Sequence, residues 1–176
     1  MAKARKKLTR KSAILALKKI KVLILDVDGV LTDGRIFYSE GSGWGAFYNV
    51  FDGFGIRQLQ KHGIEVCFIS GGNFESHRKR AEALRIRHAY FGDENKLHAY
   101  EAIRKDLGVE EHECAYMGDE IFDIPVLETA GFAATPPHSP ERVKRSVQYI
   151  TRRAGGAGAV REVCELILES RGISIG

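Results

Sequence analysis

The stretch Val22-Leu23-Ile24-Leu25-Asp26-Val27-Asp28-Gly29-Val30-Leu31-Thr32 reads as a strand that ends in acid. An unbroken aliphatic run suits a strand buried on both faces, as in a parallel sheet covered by helices. On an extended backbone residues two apart point the same way, so Asp26 and Asp28 address one space. Their charges repel and need a cation or a shared proton, and Gly29 lets the chain turn sharply behind them. Taken alone, an Asp-x-Asp with a turn glycine is also what an ordinary surface loop shows.

Working outward, the same rhythm repeats. Short apolar runs at Val22–Asp26, Glu65–Ser70, His88–Phe91, Cys114–Met117, Phe132–Thr135 and Gln148–Thr151 predict strands. Helix-like stretches lie between or after them, near 54–62, 74–85, 95–107, 121–129, 139–145 and 157–170. Asn95 and Ser139 are candidate N-caps, and Gly63, Gly108 and Gly172 candidate stops. The alternation predicts an α/β fold, a doubly wound, Rossmann-like parallel sheet in a three-layer sandwich. One segment breaks the pattern. Within residues 34–50, Arg35–Ser39 and Ala46–Val50 flank Glu40–Gly45, which predicts an inserted β-hairpin with a flexible tip. Placed directly after the first strand, it would project over the carboxyl edge of the sheet, where open α/β sheets bind ligands.

A chain of 176 residues with 44% hydrophobic and 28% charged residues suits one globular domain. No apolar run reaches the ~18 residues of a membrane-spanning helix. Residues 1–21 hold nine basic side chains and no acid; removing those nine from the net +4 leaves −5 for the rest. This start carries no aromatic residue to stack on bases or anchor in lipid. We therefore read residues 1–20 as a frayed basic lead-in ending in a short helix and residues 21–176 as the single domain, with neither nucleic acid nor membrane as partner. Cys67, Cys114 and Cys164 are odd in number and far apart, fitting buried, reduced thiols of a cytoplasmic protein. The six histidines show no metal-ligand spacing.

Four strand ends carry candidate chemistry. The first offers Asp26 and Asp28. The second ends in Ser70, followed by Gly71, Gly72 and Asn73, a hydroxyl with free N–H groups for an anion or simply a helix N-cap. Lys96 opens a helix, where its charge opposes the dipole, so a role beyond solubility is worth weighing. The strand Cys114–Met117 runs into Gly118-Asp119-Glu120-Ile121-Phe122-Asp123, more acid than N-capping alone requires. In a parallel sheet all four ends meet on one edge. Oxygen-only ligands select a hard cation, Mg²⁺, which would let an anionic nucleophile approach a phosphate ester.

These residues resemble the haloacid dehalogenase superfamily of phosphohydrolases. Its four signatures are matched in order by DVDGVLT (26–32), Ser70, Lys96 and GDExxD (118–123). LDVDGVLTDGRIFYS (25–39), FYNVFDGFGIRQLQKHGI (47–64) and GGAGAVREVCELIL (155–168) are similar to its capless 3-deoxy-D-manno-octulosonate 8-phosphate phosphatase branch. The resemblance implies Asp26 as nucleophile, Asp28 as general acid–base, and Ser70 and Lys96 as further catalytic groups. Substrate would be held by Ser70, Gly71, Asn73 and Lys96. Mg²⁺ would be held by Asp26, Asp28 through its carbonyl, and Asp119, with Asp123 as auxiliary. It also implies a phosphorylated sugar acid as substrate, no cap domain, and a homotetramer whose hairpins enclose the site. The sequence departs from the branch at four places: Phe51 in place of an arginine, Gly72-Asn73 where Gly71 is usually followed by arginine, Glu120 in place of an aspartate, and a longer hairpin tip with Trp44. The first two remove cations that would meet a substrate carboxylate. They keep open a related substrate, such as an acylneuraminate or deoxynonulosonate 9-phosphate. A non-catalytic partner or regulatory module of the same fold would have lost one of Asp26, Asp28, Lys96 or Asp119, and none is lost.

Overall fold

The structure, a computed structural model, describes residues 5–41 and 43–175. In chain order its elements are α1 (Arg10–Ala16), β1 (Val22–Leu25), β2 (Ile36–Ser39), β3 (Gly43–Ala46), α2 (Val50–Lys61), β4 (Glu65–Ser70), α3 (Glu75–Ala83) and β5 (Ala89–Phe91). There follow α4 (Lys96–Leu107), β6 (Cys114–Met117), α5 (Ile124–Thr129), β7 (Phe132–Thr135), α6 (Glu141–Arg145), β8 (Tyr149–Ile150) and α7 (Ala159–Ser170).

Six strands form one parallel sheet in the order β5-β4-β1-β6-β7-β8. The chain leaves β1 toward β4 and β5, then crosses back to β6 on the other side of β1. That reversal opens a crevice at the carboxyl ends of β1 and β6. Strand alternation builds two cores. Leu23, Leu25, Phe68 and Met117 face α1, α2, α3 and α7. Val22, Ile24, Ile69 and Tyr116 face α4, α5 and α6. Each strand is thus apolar throughout because both its faces are covered. Among the described residues no helix is long and apolar enough to cross a membrane.

The hairpin is present with a different register. Ile36 pairs with Ala46 and Ser39 with Gly43, so the second strand is Gly43–Ala46 and not Ala46–Val50. The glycines expected at the tip are partly strand residues. Gly45 admits the Phe37 ring across the pair, where a Cβ would lie 2.7 Å from Phe37 Cζ. Ser42, at the tip, lies outside the described residues. The next helix starts at Val50, earlier than expected, because Asn49 caps it, its Oδ1 accepting from Phe51 N at 2.8 Å.

Two expected caps are also corrected. Asn95 stands at the start of α4 without a side-chain cap bond. Pro140 takes the position expected of Ser139, whose hydroxyl is instead paired with Thr135 Oγ1 at 2.6 Å.

The basic start is laid against the body from Arg5 onward. Arg5 N donates to Arg145 O, and its guanidinium donates to Gln148 Oε1 at 2.6 Å. Thr9 caps α1, and Ala13, Leu17 and Ile20 are fully buried in the first core. The cause is the apolar spacing within 13–20, which a reading by charge overlooks.

Candidate active site

Asp26 follows β1 and is buried, its Oδ1 accepting from Val27 N at 2.7 Å and facing Lys96 Nζ at 2.8 Å. Both contacts fall on Oδ1, which leaves Oδ2 for chemistry. Lys96, the first residue of α4, is fully buried and reaches Asp123 Oδ1 at 2.7 Å as well. Its ammonium also sits 4.5 Å from the centroid of the Phe122 ring. Burial pulls this ammonium's pKa down, but Asp26 and Asp123 more than offset it and the net direction is up. Lys96 is therefore a fixed positive charge.

The acidic turn after β6 folds round Asp123. Its Oδ1 also accepts from Tyr116 OH at 2.6 Å, and its Oδ2 accepts from Asp119 N at 3.0 Å and Glu120 N at 2.9 Å. Asp119 is thereby aimed into the crevice, with Oδ2 3.4 Å from His138 Nε2 and Oδ1 buried without a partner. This close approach requires Gly29, which has φ +76°; a Cβ there would lie 2.0 Å from Asp119 Oδ2. Burial, with the charge of Asp123 added, pushes the Asp119 carboxyl up to about 6. Burial first, then Asp123, pushes Asp26 well above the ordinary carboxylate range against the pull of Lys96.

Asp28 shares the space with Ser70, whose Oγ donates to Asp28 Oδ2 at 3.2 Å and accepts from Gly72 N at 3.0 Å. The hydroxyl expected to face phosphate is thus tied to Asp28 here. Gly71 and Gly72 line the same cavity of about 470 Å³ as Asp26, Asp28, Ser70 and Asp119. Asn73 is not brought to its wall. It is exposed in the turn before α3, and its Oδ1 is taken by Arg78.

Sequence reasoning passed over three residues here. His77 is fully buried on α3 with Nε2 3.3 Å from Asp28 Oδ1, and neither ring nitrogen has a hydrogen bond. Its spacing with Ala81 and Leu84 marks the inward stripe of α3 and would have found it. His138 lines the cavity from the loop after β7. Asp52 is buried beneath the site and accepts from Gly158 N at 3.3 Å and Arg161 N at 2.7 Å, fastening the start of α7. Gly155, just before that start, packs so closely that a Cβ would lie 1.8 Å from Gly29 O.

The donor set suits a hard divalent cation. Asp26, Asp119 and Asp123 each offer an oxygen within 4.8 Å of the others, with no nitrogen or sulfur among them. The orphaned Asp119 Oδ1 and the two raised carboxyls mark a cluster whose negative charge exceeds what Lys96 alone balances.

A parallel sheet with carboxylates, a buried lysine and a strand-end serine at its switch point defines a haloacid dehalogenase-like hydrolase, and the model of that family matches residues 55–131. The chain is 39% identical over 155 residues to 3-deoxy-D-manno-octulosonate 8-phosphate phosphatase KdsC of Escherichia coli strain K12, covering 88% of this chain and 82% of that one. The crystal structure of the Yersinia pestis phosphatase of that name superposes with a TM-score of 0.88 at 37% identity, over 91% and 86% of the two chains. That of the Moraxella catarrhalis phosphatase, in complex with magnesium ion, phosphate ion and KDO, does so with 0.87 at 38%, over 91% and 92%. The chain belongs to the 3-deoxy-D-manno-octulosonate 8-phosphate phosphatase family and is a phosphoric monoester hydrolase that uses Mg²⁺.

Proposed function

We propose that this protein hydrolyses 3-deoxy-D-manno-octulosonate 8-phosphate through a phosphorylated Asp26. The observation that carries the reading is the convergence of Asp26, Asp28, Ser70 and Asp119 on one cavity at the β1–β6 crevice, with the Lys96 ammonium buried behind Asp26 at 2.8 Å. Asp26 Oδ2 attacks phosphorus, and the ester oxygen leaves with a proton from Asp28. Asp28 then takes a proton from water, which displaces the phosphate and restores Asp26. Lys96 and the Gly71 N–H hold the phosphoryl oxygens as charge spreads over them. Ser70 joins them once its hydroxyl turns from Asp28.

Mg²⁺ would be held by Asp26, Asp119 and the carbonyl of Asp28, and it neutralises charge between the carboxylates and the phosphoryl group. Asp123, with both oxygens engaged by four donors, serves the set by fixing Lys96 and the 119–120 backbone.

The hairpin supports a homotetramer. Ile36, Phe37, Tyr38, Trp44 and Phe47 are all exposed, an apolar surface of the kind that marks association. Copies meeting there would enclose the cavity. The three buried free thiols support a cytoplasmic setting.

A 9-phosphorylated sugar acid is the second reading, because Asp33, Glu94 and Glu120 ring the cavity and, among the described residues, no arginine lines it. Phosphate release from a panel of sugar phosphates, with EDTA and Asp26→Asn controls, tests both. The 8-phosphate should be turned over fastest, with release abolished by either control. Preference for a 9-phosphate would replace the substrate, and release surviving both controls would overturn the mechanism.

A further inference from the structure

We infer that the amino-terminal edge of the sheet carries a second site, one that binds a small polyanion of the nucleoside di- or triphosphate class. A cavity of about 730 Å³ opens there, between the starts of β1 and β4 and the ends of α2, α3 and α4. It lies at the opposite end of the strands from Asp26, so the hydrolytic reaction makes no use of it.

Five cations line this cavity, Lys21, Arg57, Lys61, Arg85 and Arg87, against the single carboxylate of Glu65. Glu65 is already taken by Arg87, at 2.5 Å, and Lys21 by Glu113, at 2.6 Å. Among the described residues Arg57, Lys61 and Arg85 have no carboxylate partner; Arg57 donates only to Ala83 O. Three unneutralised charges therefore meet at one mouth, on a body that is net acidic outside its first 21 residues. Such focusing concentrates anions locally. The dipole of α2 accounts for Lys61 in its last turn, but not for the other two.

Arg85 is the telling residue. It follows the end of α3 at φ +56°, the only non-glycine residue with positive φ among those described. Helices usually give this left-handed position to glycine, because a Cβ is strained there. The sequence instead keeps a guanidinium at the mouth of a basic cavity, at a cost to the fold.

The floor sets the class of ligand. Leu107 and Val109, both half-buried, offer an apolar surface for a flat ring beside cations numerous enough to meet more than one phosphate. The volume falls within the ~300–1,000 Å³ of small-molecule sites.

Titration calorimetry at fixed ionic strength on the full chain tests this, using Asp26→Asn with excess Mg²⁺ and orthophosphate to fill the catalytic cavity. ATP and ADP should bind saturably, one per chain, and more tightly than AMP. Arg85→Gly should weaken ADP at least tenfold while melting at the same or a higher temperature. In the Asp26 background it should leave phosphate release unchanged. Lys61→Ala should weaken ADP independently. Absence of binding at millimolar ADP would overturn the site. So would affinity unchanged by Arg85→Gly, or heats abolished by modest added NaCl in wild type and variant alike.

Discussion

Lys96 is buried between the carboxylates of Asp26 and Asp123, and its removal leaves two negative charges facing each other without water. Breaking such a buried pair costs about 3–5 kcal/mol. Lys96→Met should therefore lower the unfolding free energy by that order in denaturant titration and abolish detectable turnover. His77 lies behind Asp28 with its Nε2 at 3.3 Å. His77→Leu should reduce kcat about tenfold, a part of the ~10²–10⁴-fold that general acid–base help by Asp28 provides, with KM nearly unchanged. His77→Gln, which retains a donor, should recover part of the loss; equal kcat in all three forms would remove His77 from the mechanism. Asp26, Asp28 and Asp119 were legible because strand-end position follows from local pattern. His77 was not singled out, because its meaning depends on a contact 49 positions away in the chain, with a residue on another element. Nor could spacing show that Asp123 spends both oxygens on hydrogen bonds.

At the scale of elements, Asp52 is placed at the third position beyond the α2 cap and fastens α7 from a distance. Asp52→Ala removes the acceptors of the buried Gly158 N–H and the half-buried Arg161 N–H, a loss of about 1–3 kcal/mol, measurable by urea unfolding with the m-value unchanged. The hairpin offers a different test. Tyr38→Glu with Trp44→Glu alters two exposed residues whose rings meet at 5.3 Å. Light scattering should show the assembly falling to smaller species while each chain still folds, and KM should rise as enclosure is lost. An unchanged mass would exclude the hairpin as the interface. That a hairpin exists here was evident from glycines among aromatic and β-branched residues. Its register was not, because the pairing of Gly45 with Phe37, whose ring lies across it, is a cross-strand contact that no local pattern shows.

For the whole molecule, charge balance at the β1–β6 crevice links folding to pH and metal. Asp119 is raised to about 6 in the metal-free protein. A carboxyl raised above its unfolded value favours the folded state while protonated, so this contribution is present at low pH and lost as pH rises through about 6. Mg²⁺ reverses the repulsion. Calorimetry should therefore show a larger Mg²⁺-induced rise in Tm at pH 7.5 than at pH 5.5, and an equal rise at both would contradict this electrostatic account. Residues 5–20 are bonded to the body and packed into its first core. Leu17 and Ile20 are buried side chains worth about 1.5–3 kcal/mol each, so deleting residues 1–20 should lower Tm markedly, read by circular dichroism, while leaving turnover well below the transition intact.

By itself the sequence determined the parallel α/β class, the carboxylate, hydroxyl and ammonium groups at successive strand ends, and the hard-cation chemistry they imply. Periodicity and strand termini are local properties, and residue type sets ligand preference. Only the tertiary structure decided which partner each charge meets, that the basic start packs into the core, and that a second cluster of cations gathers at the far edge. Those outcomes depend on crossover connections that bring distant segments within a few ångströms, and no window of sequence contains both sides of such a contact.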